Sequence, residues 1–535
     1  MKNENGALRL WVGTLSAMMA LMIANGALAA DLKTPRIFSD NMVLQRNCQV
    51  PVWGWASPSM KISVGFDGQD FSAVADADGK WLVKLSPMQA STTARTLLIM
   101  DEQGNRIEYR NILVGDVWIA SGQSNMELNF GSVARVPSDS SSANIRLTGG
   151  MGNNINISPE PGGNRFPVRT WQECSPRELV ACSIAGYYFA KELQKNIHVP
   201  IGIINMAVGC SSIESWMPPD AFKSHETWKP ELDEIKKMRE LFQRKDGLSD
   251  SDKLQFIRDH AVTKYGRIPA VSFMKNGEPM LDKFNYVFWH ALVVRPSNLY
   301  FHAVEPVIPF AIRGVIWYQG ETNFLDQEYA EKQRALIESW RKMWGLGDFP
   351  FYMVQIAPYR YYAKLADLWM QQYKTAREVK NTGIIPTVDI SELDNCHPAN
   401  KRDVGQRLAA IAMRDTYGSS EMVASGPIYR SQEIVEGKII IHFSQTHGGL
   451  RTRDGKPPDW FEIAGKDGKF VKANAMIAGD NVEVSSPGIP LPMHVRCGWS
   501  QIAEPNLCNS AGWPVWPFNT SLHFFSENRK SYDTP

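Results

Sequence analysis

The chain has 535 residues, 44% hydrophobic and 21% charged, which suits two or three packed domains and excludes a disordered chain. A formal net charge of +1 gives no electrostatic reason to bind nucleic acid or an anionic membrane.

The chain opens on a basic start, Lys2 and Arg9, then an apolar stretch from Leu10 to Ile23 and the small-residue pattern Ala27-Leu28-Ala29. That order predicts a signal peptide over 1–29, and hence an exported protein, periplasmic or secreted. No later stretch is long and apolar enough to predict a membrane span in the mature chain. Residues 32–112 read as strands: "QVPVWGWA" and "KISVGFDG" alternate, "DADGKWLVKL" holds an Asp-Gly turn, and "RTLLIMDEQGNRIEYRNILV" predicts a hairpin. A small β-sandwich is expected there.

From Gly115 apolar strands alternate with amphipathic helices. "DVWIAS" is followed by a long loop, then by the helical spacing of "ELVACSIAGYYFAKELQKN". Strands "IGIINMAV", "RGVIWYQ", "FYMVQIA" and "GIIPTVDI" follow, with helices "DQEYAEKQRALIESWRKMW", "DLWMQQYKTAREVK" and "KRDVGQRLAAIAMRDTY". Strands buried on both faces and separated by helices predict a parallel sheet with helices on each side, an α/β unit over 113–417. A charged insertion at about 220–292 reads as a surface excursion without chemistry. Residues 418–535 return to strands, and a last stretch rich in Trp and Pro is expected to pack back onto one of the β units.

The seven cysteines show no metal-ligand spacing, so no metal is expected, and their odd number leaves at least one unpaired within a monomer. Cys497 and Cys508 either bridge a short loop in an oxidising compartment or pack as thiols.

In open parallel sheets functional groups gather beyond the carboxyl ends of the strands. There the sequence places Ser124 in "SGQSNM", the glycine turn Gly209-Cys210-Ser211-Ser212, the amide-bearing loop Gln319-Gly320-Glu321-Thr322-Asn323, and Asp394-Asn395-Cys396-His397-Pro398. A serine hydroxyl is protonated at neutral pH and needs a base to attack a carbonyl. His397 can supply it, with Asp394 three residues earlier to orient the imidazole. Backbone N–H groups of Ser124 and Gly209, with a side-chain amide from Gln319 or Asn323, can meet the developing oxyanion. Ser211 and Ser212 rival Ser124 by composition but sit in a turn better suited to presenting N–H groups. Each piece also has a structural reading: a cap, a turn or a loop anchor, the last being the expectation for Glu321.

"GQSNM", "GVIWYQGETN" and "DNCHPANKRDVGQRLA" resemble the signature blocks of the sialate O-acetylesterase family, within the SGNH (GDSL-like) hydrolase superfamily. The likeness extends to "IFSDNMVLQRNCQVPVWGWA", "WFEIAGKDGKFVKANAMIAGDNVEVSSP" and "NLCNSAGWPVWPFNTS". It implies a three-layer α/β/α SGNH-hydrolase domain with accessory β regions at both ends and hydrolysis of O-acetyl esters on sugars. It also implies Ser124 as nucleophile, His397 as base, Asp394 as its orienting acid, and an oxyanion hole from Gly209 and the Gln319 block. The superfamily's Gly-x-Asn-Asp appears here as residues 319–323, which leaves Gln319 and Asn323 both as candidate donors.

The expected substrate is an O-acetylated sugar, sialic acid first and acetylated xylan second, with no cofactor. Trp216, Trp317, Tyr318 and Glu321 are the candidate sugar contacts, although each aromatic suits a core equally well. A carbohydrate-binding protein with a silent hydrolase core is the reading of another class, and an intact serine, histidine and aspartate weigh against it.

Overall fold

A single 17-residue strand, β1 (Arg106–Gly122), joins the first β unit to the sheet that carries the site. The computed structural model describes residues 32–133, 135–149, 170–243, 248–260, 274–275 and 278–522. The expected signal peptide lies outside these residues. The first half of β1 pairs antiparallel with strand Ser91–Asp101 and parallel with Val43–Gln45, while strands Val50–Trp55 and Lys80–Leu85 form a separate hairpin. Residue 112, the boundary expected from sequence, therefore falls inside a continuous strand.

The second half of β1 is fully buried and enters the main sheet with β2 (Ser142–Thr148), β3 (Trp171–Cys174), β4 (Ile201–Ala207), β5 (Gly314–Tyr318), β6 (Phe351–Val354) and β7 (Thr382–Ile385). The order is β7-β6-β5-β1-β4-β2-β3, parallel throughout except for the edge strand β3, which runs antiparallel to β2. The sheet is thus mixed, not purely parallel. The two strands at that edge lie in what the sequence presents as a long loop.

Seven helices matter to the site: α1 (Ser124–Glu127), α2 (Ile184–Ile197), α3 (Ile213–Trp216), α4 (Phe284–Val294), α5 (Tyr329–Trp344), α6 (Leu365–Glu378) and α7 (Lys401–Asp415). Helix α2 begins later than its hydrophobic spacing predicts. A short helix, Pro176–Leu179, ends first, and Ser183 then caps α2 by accepting the Gly186 N–H at 3.0 Å. Register places Trp118 opposite Gly314 and Trp317 opposite Ser121, so the two indoles leave opposite faces of the sheet. Trp118 packs edge-on against Phe189 of α2, with ring centroids 5.0 Å apart. Trp317 meets Trp216 of α3 at 6.0 Å and Trp340 of α5 at 6.1 Å. Helices therefore cover both faces, α2 pairing with α7 and α5 with α6. At Gly405 of α7 an added Cβ would lie 2.6 Å from the Ala185 carbonyl, so the α2–α7 contact requires glycine.

The insertion is less detached than its charge suggests. Helix α4 packs behind the glycine turn, where the Ser212 N–H donates to the Val293 carbonyl at 3.0 Å. After α7 the chain forms two four-stranded sheets around a separate core that includes Ile439, Ile441, Ile463, Val482 and Val495. Cys497 and Cys508 are buried there as thiols and are not bonded to each other. The Trp- and Pro-rich segment reaches the helices of the main domain: Trp516 packs on Tyr373 of α6 at 5.4 Å, and Arg407 of α7 lies over the Trp513 ring at 5.2 Å.

Candidate active site

The turn that carries Ser124 begins at Gly122, the last residue of β1, with φ +131°; a Cβ there would lie 2.2 Å from the Tyr318 carbonyl oxygen. Only glycine lets β1 turn this sharply while still paired with β5. Ser124 then opens α1, so its N–H lies outside the helical ladder and points from a helix start. The two amides flanking it are clamps to other loops. Gln123 Oε1 accepts the N–H groups of Gly320 and Thr322, each at 3.3 Å, which fastens the turn to the loop after β5. Asn125 Nδ2 donates to the Cys396 carbonyl at 2.9 Å and to Glu321, which fastens it to the histidine loop.

These clamps bring Ser124 Oγ to 2.8 Å from His397 Nε2, across 273 residues of sequence. For Nε2 to accept the hydroxyl proton, Nδ1 must carry the ring hydrogen, and its partner is Cys396 Sγ at 3.8 Å. Burial pushes His397 below the ordinary histidine value, and the ammonium of Lys401 pushes it further the same way. Lys401, the first residue of α7, is buried and donates to the Pro398 carbonyl; desolvation brings its own pKa down to about 8. A neutral imidazole is the form a base needs.

Asp394 is not brought to the imidazole. Its side chain is 71% exposed and pairs with Arg360, whose Nη2 donates to Oδ2 at 3.1 Å. The loop turns the carboxylate outward while His397 is anchored separately, its N–H donating to Asn395 Oδ1 at 2.9 Å. Sequence spacing puts the two residues in one turn but cannot fix which way each side chain leaves it.

The expected oxyanion donors divide. Gly209 lies beside Ser124, a Cβ on Gly209 falling 3.6 Å from Ser124 Cβ, but its N–H donates to Glu127 Oε2 at 2.6 Å. Burial raises the Glu127 carboxyl above its ordinary range, partly offset by that amide. Gln319 is fully buried and committed: Nε2 donates to the Ser211 carbonyl and Asn323 Oδ1, and Oε1 accepts from Tyr329. Asn323 accepts the Ile213 N–H and donates to Glu214 and Asp326. Both amides therefore hold the glycine turn and the β5 loop together, and neither presents a spare donor. Burial alone would raise the Glu214 carboxyl, but Lys332, 2.8 Å away, and Asn323 more than offset it and leave it below the ordinary range. That network ties the glycine turn to the start of α5 through Lys332.

Other expectations are likewise resolved by burial. Trp216, Trp317 and Tyr318 are fully buried in the core and offer no ring face to a sugar. Glu321 is buried and accepts a hydrogen bond from Asn125 Nδ2. Ser211 and Ser212 donate to the carbonyls of Gly122 and Val294, which uses them as loop supports. Gln123, Asn125, Glu127, Arg360 and Lys401 escaped the sequence reading. The one signal that pointed to any of them was the pair of amides flanking Ser124, which suit a turn just as well.

A family model described as carbohydrate esterase, sialic acid-specific acetylesterase, matches residues 114–245 and 289–414. A carbohydrate acetylesterase from Xanthomonas citri is similar over 91% of this chain and 99% of its own, at 32% identity and a TM-score of 0.73. The chain belongs to the family of sialic acid-specific acetylesterases among the carbohydrate esterases. It is thus a carboxylic ester hydrolase. The human sialate O-acetylesterase is 22% identical over 76% of this chain and 75% of its own length, and the mouse sialate O-acetylesterase is 21% identical over 94% of each. The gap in the family match lies within the insertion and leaves every strand end of the site inside the matched segments.

Proposed function

We propose that this acetylesterase removes O-acetyl groups from carbohydrates with Ser124 as nucleophile and His397 as general base. The observation that carries the reading is the 2.8 Å contact between Ser124 Oγ and His397 Nε2, held by clamps from Gln123 and Asn125. As Oγ attacks the acetyl carbonyl, its proton passes to Nε2 and the negative charge moves to the former carbonyl oxygen. The Ser124 N–H meets that charge, joined by the Gly209 N–H once Glu127 yields it. Collapse breaks the bond to the sugar oxygen, which takes the proton from the imidazolium, and leaves acetyl-Ser124. Water, deprotonated by His397, attacks the acetyl carbon; the bond to Oγ breaks as Oγ takes the proton back from the imidazolium, and acetate leaves. Asp394 positions the loop through Arg360.

O-acetylated sialic acids are the favoured substrate, supported by the names of the human and mouse relatives; acetylated xylan is the competing one. Helices on both faces of the sheet support the three-layer SGNH reading, with one β unit sharing β1 with it and another, 418–535, following it. The amino-terminal sequence pattern supports export.

The test is acetate release from 9-O-acetylated sialic acid and from acetylated xylo-oligosaccharides, with hydrolysis of 4-nitrophenyl acetate as the general assay. Wild type is active and Ser124→Ala, with its fold retained, is inactive. Undiminished activity in Ser124→Ala removes the nucleophile, and a well-folded wild type that releases no acetate from either sugar ester removes the function.

A further inference from the structure

The three aromatics expected to contact sugar are core, yet another aromatic group borders the histidine loop. The segment 355–364 joins β6 to α6, and it is tied down on two sides. The Arg360 N–H donates to the Leu393 carbonyl at 3.0 Å and its guanidinium pairs with Asp394, while the Tyr359 N–H donates to the Gln501 carbonyl at 3.0 Å. Through Arg360 the segment is therefore fastened to Leu393 and Asp394, on the loop that carries His397.

On this tether four rings form a cluster. Tyr359 packs edge-to-face with Tyr361 at 5.2 Å and with Tyr362 at 4.8 Å, and Tyr362 stacks on Phe324 at 4.8 Å with planes 23° apart. Phe324 directly follows Asn323, so the cluster bridges the loops after β5 and β6. Tyr361 nevertheless stays 70% exposed, against 41% for Trp55, another exposed aromatic. Folding gains little from leaving so large a ring in water, whereas a ligand gains by covering it.

We propose that the Tyr359–Tyr361–Tyr362 cluster, with Tyr361 as its open face, is the subsite that holds a pyranose ring of the acetylated carbohydrate. One face of a pyranose presents C–H bonds that pack on an aromatic ring, while its hydroxyls reach outward. The Arg360–Asp394 pair at the edge of the cluster offers both donors and acceptors to those hydroxyls. An apolar platform edged by a few polar groups is the ordinary make-up of a small-ligand site. The inference rests on the acetylesterase reading above and adds where the sugar lies.

The experiment compares wild type, Tyr361→Ala and Tyr361→Phe on three esters: 9-O-acetylated sialic acid, acetylated xylo-oligosaccharides, and ethyl acetate, whose small leaving group has no ring to stack. Tyr361→Ala is expected to raise KM about tenfold on the sugar esters that wild type hydrolyses, with kcat within about threefold. Its preference for sugar ester over ethyl acetate, as a ratio of kcat/KM, is expected to fall about tenfold. Tyr361→Phe keeps the ring and is expected to restore both values. A Tyr361→Ala enzyme with wild-type KM and preference overturns the subsite while leaving the acetylesterase reading intact. A wild type active on ethyl acetate but on neither sugar ester overturns both.

Discussion

Replacing Asp394 with Asn separates two accounts of how the imidazole is held. In a serine triad with a buried carboxylate on the imidazole, the equivalent change costs about 10⁴-fold in turnover, because the wrong tautomer is stabilised. Here Asp394 is 71% exposed and pairs with a half-exposed arginine, while His397 Nδ1 faces Cys396 Sγ at 3.8 Å. An ion pair this open to solvent is worth about 0–1 kcal/mol. Even if all of that reached the transition state, the rate would fall no more than about fivefold. Asp394→Asn is therefore expected to keep kcat/KM for 4-nitrophenyl acetate within about tenfold of wild type, at an unchanged thermal midpoint. The assay is initial rate against substrate at pH 7.5, with active sites counted by acylation burst. A loss of about a thousandfold in a folded variant would refute the reasoning. It would mean that the carboxylate leaves Arg360 for Nδ1 during turnover.

Further outcomes follow from the same geometry. With His397 as the proposed base in its neutral form, and burial with Lys401 holding its pKa below the ordinary 6.5, the acidic midpoint of kcat is expected below pH 6.5. Lys401→Met removes a charge that disfavours the imidazolium, so that midpoint should move to higher pH; an unmoved midpoint in the pH profile would clear Lys401 of this role. Gly122→Ala puts a Cβ 2.2 Å from the Tyr318 carbonyl oxygen at a positive φ, and urea denaturation should show a loss of about 2–5 kcal/mol together with most activity. Trp317→Ala, a cut into the core, should cost about 3–5 kcal/mol of stability in the same measurement. A Trp317 variant of wild-type stability but raised KM would return that residue to the sugar site.

Two kinds of information are divided between chain and fold. Local pattern sufficed for the alternation of strands and helices from Gly115 onward, and for chemistry-bearing residues at the ends of β1, β4, β5 and the loop after β7. Strand and helix periods are written in neighbouring residues, and parallel sheets gather their loops at one edge. Pattern also sufficed to single out Ser124 and His397 as partners, because few residue types can make a hydroxyl nucleophilic. It did not reach β2 and the antiparallel edge strand β3, whose pairing depends on contacts far along the chain. Nor did it tell a buried aromatic from an exposed one: Trp317 and Tyr361 look equally suited to a sugar until packing hides the first and bares the second. Direction was the other missing quantity. Gln319 and Asn323 turn inward to hold loops, Asp394 turns outward to Arg360, and Glu127 turns onto the Gly209 amide. Which way a side chain leaves its backbone is settled by whatever occupies the space around it, and that space is filled by residues tens to hundreds of positions away.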